Sequence, residues 1–98
     1  MAFGAKEIRE ELEAGPPNPL AYAMAQDAFR RFYRDAGPAT VAYLDDLKDQ
    51  MKAYPDEDEL WRESYRAACS LGRILEDGPG GAIVAKEAYR VVMDWLAP

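Results

Sequence analysis

Residues 82–96 read AIVAKEAYRVVMDWL, and as a helix this segment is apolar almost all the way round. At about 100° per residue, its polar side chains Lys86, Glu87, Arg90 and Asp94 share an arc of only about 100°. Ile83, Val84, Tyr89, Val91, Val92, Met93, Trp95 and Leu96 take the remaining arc of about 260°. A surface helix of a small domain carries a narrower stripe, so this one demands cover on at least two sides. Two arrangements meet the demand. The helix is the centre of its own bundle, or it forms a seam with a second copy or a groove for another protein. The association reading makes Val91 and Trp95 the expected contacts, because apolar and aromatic residues supply association cores.

Proline and glycine punctuate the rest. A first helix is expected over about residues 3–14, with Phe3, Ile8 and Leu12 inward, ended by Gly15-Pro16-Pro17. Asn18-Pro19 reads as an N-cap followed by proline at the first helical position. The helix it opens runs to about Ala36. Its apolar face is Ala21, Tyr22, Ala25, Ala28, Phe29, Phe32, Tyr33 and Ala36. Gly37-Pro38 repeats the device, and a helix over 39–53 places Val41, Leu44, Leu47, Met51 and Tyr54 on one face. A fourth helix starts at Asp56 or Asp58 and runs to about Asp77. It carries Leu60, Trp61, Tyr65, Ala68, Leu71, Ile74 and Leu75, and Gly78-Pro79-Gly80-Gly81 turns into the fifth. No segment alternates as a strand does. The expected fold is all-α: a compact single-domain bundle over residues 1–98, with four main helices and a short N-terminal one. Short Pro/Gly loops imply roughly antiparallel sequence neighbours.

The chain has no histidine and one cysteine, Cys69. Without histidine it lacks the usual general base near neutral pH, the commonest metal ligand and every Ser–His or Cys–His pair. No enzyme activity, metal or cofactor is therefore expected. Cys69 has no intramolecular disulfide partner and reads as a packed small residue. No apolar run reaches membrane-spanning length. The acidic N-terminus has no secretory h-region. The expected location is the cytoplasm, with no membrane partner.

Charge is concentrated. Residues 45–63 hold eight acids and three bases, most of the net charge of −6. Asp56, Glu57, Asp58 and Glu59 suit a helix N-terminus, with Asp56 and Glu59 at capping-box spacing. Asp45, Asp46 and Asp49 have no such excuse, because aspartate is a poor mid-helix residue and like charges four apart repel. These three join Val91 and Trp95 as expected partner-binding residues. The run Phe29-Arg30-Arg31-Phe32-Tyr33-Arg34 interleaves bases and rings, but on a helix the rings turn inward and the arginines outward, with Asp27 placed to pair with Arg31. Direct nucleic-acid binding is not expected. The glycine-rich turn lacks the Lys-Ser/Thr of a phosphate-binding loop. A pocket lined by Tyr22, Tyr33, Tyr54, Tyr65 or Tyr89 is a third candidate.

The functional expectation is a small acidic helical protein acting by protein–protein binding, as an adaptor, inhibitor or regulatory subunit. Homodimerisation through the C-terminal helix is one form of this. The alternative is an acidic nucleic-acid mimic that inhibits a DNA- or RNA-handling complex, in the manner of a phage-encoded anti-defence protein.

Overall fold

The computed structural model describes residues 3–78 and 81–98, without the side chains of residues 82, 83, 85 and 86. The expected Pro79-Gly80 part of the last turn, and the side chains of Ile83 and Lys86, lie outside the described residues. Among the described residues five helices follow in order: α1 (Ala5–Glu13), α2 (Pro19–Asp35), α3 (Pro38–Ala53), α4 (Asp58–Glu76) and α5 (Gly81–Leu96). Among the described residues there is no strand, and no helix is long and apolar enough to cross a membrane.

Local chemistry sets most boundaries. The Asn18 side chain accepts the Ala21 N–H at 3.1 Å, and Pro19 follows at the first position of α2. Gly15 ends α1 at φ +80°, a left-handed backbone that glycine adopts without a Cβ clash. Ala36 and Gly37 are extended, at ψ 152° and 159°, Gly37 as the residue before a proline tends to be. This has a topological consequence. The chain leaves α2 in an extended direction instead of folding back, and α2 and α3 share little contact; neither do α1 and α2. The expectation that short loops make packed sequence neighbours holds well only for α4 and α5.

The start of α4 departs from the capping-box expectation for Asp56 and Glu59. Glu57 precedes α4 and makes no side-chain cap bond. Asp58 instead accepts the Ala5 N–H at 2.9 Å and so caps α1 from 53 residues away. A Cβ on Gly4 would lie 2.5 Å from that carboxylate oxygen, so a larger residue there would push the Asp58 side chain away from its cap position. At the other end, Arg90 Nη1 donates to the Glu11 carbonyl at 2.7 Å, within the last turn of α1. A nine-residue helix is too short to persist alone, and here both of its ends are held by side chains of α4 and α5.

The core gathers around α5, which packs most extensively on α4, next on α2, and is flanked by α1 and α3. On α4 the buried face is Trp61, Ser64, Ala68, Leu71, Gly72 and Leu75. Ser64, Ala68 and Gly72 repeat every four residues and form a low ridge that lets α5 come close. A Cβ on Gly72 would stand 3.6 Å from both the Ala88 Cβ and the Tyr89 nitrogen, ordinary contact distances. Gly72→Ala should therefore fit and raise stability by up to about 1 kcal/mol through helix propensity. A higher thermal midpoint is the expected result, and a lower one would show that the α4–α5 approach has no room for a methyl group.

Ile74 and Tyr54, expected on apolar faces, are 53% and 63% exposed. Ile74 lies about 100° from the middle of the buried α4 face. Tyr54 follows the last turn of α3 as its C-cap, beyond the reach of the core. The molecule measures 34 × 32 × 19 Å, and its thin dimension is about two helix diameters.

Candidate interaction surface

α5 is the centre of its own fold. Val84, Ala88, Val92, Met93 and Leu96 are fully buried and Val91 is 5% exposed. Val91 thus belongs to the core of the monomer and not to an exposed face. Among the described apolar side chains of α5, Tyr89 and Trp95 are partly exposed and the rest are covered by the other helices. The polar arc is corrected too. Asp94 is exposed, but Glu87 and Arg90 are only 2% and 7% exposed, because α1 and α2 roof them. Arg90 Nε lies 3.4 Å from Glu87 Oε2, and neither atom has a hydrogen bond. The i, i+3 spacing of opposite charges was visible in the sequence, but nothing local indicated its burial.

Tyr65 and Tyr89 meet edge-on with centroids 5.8 Å apart. Three of the five candidate tyrosines pair singly with carboxylates: Tyr22 with Asp94, Tyr33 with Asp45, Tyr89 with Glu11, each phenol donating. Desolvation, then the bond to Asp94, pushes the Tyr22 phenol well above its ordinary pKa. Tyr89 is raised in the same way, by burial and then by Glu11. For Tyr33 the bond to Asp45 is the larger cause. The fold therefore prefers the neutral rings. Their contribution is intact below about pH 10, the ordinary phenol value, and is lost as pH climbs through the raised folded values. In an alkaline titration, tyrosinate absorbance from these rings should appear together with loss of helical circular dichroism. Ordinary ionisation with an unchanged helix signal would contradict the pairing.

One surface combines the remaining expected residues. Trp95, half-buried at the end of α5, packs edge-on to Phe29 with centroids 5.6 Å apart, and tilted against Tyr33 at 5.3 Å. Phe29 and Tyr33 come from α2, one turn apart. From α3, Lys48 lays its ammonium 4.1 Å from the centre of the Trp95 ring, and Asp45 accepts from Tyr33. Tyr33 and Lys48 thus bring Asp45 and Trp95 into one neighbourhood. Asp46 accepts from Gln50 at 2.7 Å on its own helix. Asp45, Asp46 and Asp49 are all exposed, and none forms an ion pair among the described residues. Beside Trp95, a groove of about 330 Å³ runs between α2 and α5, edged by Tyr22, Gln26, Arg30 and Asp94 with Phe29 and Val91 at its floor.

The acids that open α4 are differently employed. Asp56 pairs with Arg9 at 3.0 Å, Asp58 caps α1 and Glu59 pairs with Arg62. Asp27 and Arg31 form the expected i, i+4 pair at 2.7 Å, with Phe29 buried and Arg30, Arg31 and Arg34 outward. Cys69 is partly buried, and desolvation pushes its thiol up against a smaller opposing effect of Arg73, which disfavours a nucleophilic thiolate. Among the described residues, no cluster of three or more acids or thiols is placed to hold a metal. No protein-family model, characterised protein or solved structure matches the chain.

Proposed function

We propose that this chain is a non-catalytic binding protein that receives a basic surface of another protein on the outer face of α3 and the adjoining Trp95 neighbourhood. One observation carries the reading. Lys48, the base set among Asp45, Asp46 and Asp49, is drawn onto the Trp95 ring, so three exposed carboxylates stay without an ion pair among the described residues. Clustered like charge of this kind raises the encounter rate with an oppositely charged partner and makes it salt-sensitive. Adaptor, inhibitor and regulatory-subunit roles are all compatible with such a surface. A reducing compartment such as the cytoplasm suits the single thiol.

The surface supports nucleic-acid mimicry less well. A mimic needs a long row of free negative charge, and Asp56, Asp58 and Glu59 are engaged by Arg9, the α1 N-terminus and Arg62.

The test is a titration with a short arginine-rich peptide, followed by amide chemical shifts. Shifts should cluster on α3 and fade with added salt. The triple variant Asp45→Asn, Asp46→Asn, Asp49→Asn should bind at least about tenfold more weakly. Equal binding by the triple variant would refute the reading.

A further inference from the structure

We infer that the face of the Trp95 indole now covered by Lys48 is a receiving slot for an arginine side chain of the partner, with Lys48 as its internal occupant. The inference rests on the basic partner proposed above and names the group that this partner contributes.

The placement of Lys48 is informative because it had other choices. On α3 it lies three residues after Asp45 and next to Asp49, yet it forms no ion pair among the described residues. Its ammonium rests 4.1 Å from the Trp95 centroid instead. The indole face is therefore already a cation-binding surface in the isolated chain. The ring is held in place by the rings packed against it, Phe29 at 5.6 Å and Tyr33 at 5.3 Å. Tyr33 is held in turn by its bond to Asp45.

A guanidinium suits this slot better than the ammonium that fills it. It is planar, so it stacks on the indole, and it is more weakly hydrated, so it loses less on leaving water. Its forked donors point outward in the ring plane, where a carboxylate can accept two of them. Asp45 and Asp49, one turn apart on α3, are the acceptors at hand. A displaced Lys48 remains beside the same carboxylates, so its ammonium moves from ring to acid and stays compensated. Charge complementarity thus selects arginine over an apolar or acidic side chain.

The experiment compares Lys48→Gln with Lys52→Gln, using a short peptide with a single central arginine and a second peptide with lysine in its place. Both substitutions remove one positive charge from α3, but only the first empties the slot. Lys48→Gln should tighten the arginine peptide by about threefold to tenfold, clearly more than Lys52→Gln. The Trp95 indole N–H resonance should shift on binding while that of buried Trp61 does not. The lysine peptide should gain less. Equal gains from the two substitutions, or a still Trp95 resonance with shifts on α3 alone, would overturn the slot and leave the acidic docking surface standing. Failure of wild type and Lys48→Gln to bind either peptide would overturn both. An equal gain for the lysine peptide would remove the guanidinium preference.

Discussion

Arg90→Met should destabilise the fold by about 3–5 kcal/mol, the usual cost of removing one partner of a buried charge pair. Glu87 is 2% exposed and would keep its carboxylate beneath α1 and α2 with no opposite charge beside it. The same substitution removes the donor that holds the Glu11 carbonyl, so α1 loses its C-terminal anchor as well. The loss is large against the roughly 5–15 kcal/mol by which domains of this kind are stable. The double variant Glu87→Leu, Arg90→Met should recover the part due to the unpaired charge, though not the lost α1 anchor. The pair is separated by 3.4 Å and leaves Glu87 Oε2 and Arg90 Nε without hydrogen bonds, so its attraction offsets little more than its own desolvation. Urea unfolding followed by circular dichroism measures both. A cost below about 1 kcal/mol for the single variant would show that Glu87 reaches water.

Leu96→Ala should cost about 2–5 kcal/mol, because the side chain is wholly enclosed and its removal leaves a cavity as well as losing burial. This separates the two roles that the composition of α5 allows. For a core helix, the loss appears as a lower unfolding free energy of a monomer, independent of protein concentration. For an interface helix, it would appear as weaker self-association with little change in monomer stability. Unfolding curves at two protein concentrations, with light scattering on the same samples, distinguish them. A change confined to association would return α5 to the surface.

The helices were legible because their signals are local. Asn18-Pro19, Gly15, Gly37-Pro38 and Pro55 mark chain breaks through backbone geometry alone, and the observed spans follow them within a residue or two. The i, i+4 pairing of Asp27 with Arg31 is equally local. Apolar periodicity located Ile8, Leu44, Leu47, Met51 and Trp61 in the core. It misplaced Ile74 and Tyr54, which lie at a face edge and a helix end, where periodicity carries least information. Of the expected partner-binding residues, Asp45, Asp46 and Asp49 are exposed on α3 and Trp95 is half-buried beside them, whereas Val91 belongs to the interior.

Amino-acid order alone determined how many helices form, roughly where the chain breaks between them, most of each apolar stripe, and that the last helix must be wrapped. Only the tertiary structure decided what wraps it. It also decided that Asp58 caps a helix 53 residues upstream, that Arg90 and Glu87 are enclosed, and that Lys48 chooses an indole over neighbouring carboxylates. The physical reason is range. Propensity, capping and periodicity act over about four residues along the chain. Desolvation and ring–cation contact depend on which helices meet in space, and a sequence pattern read one helix at a time does not contain that information.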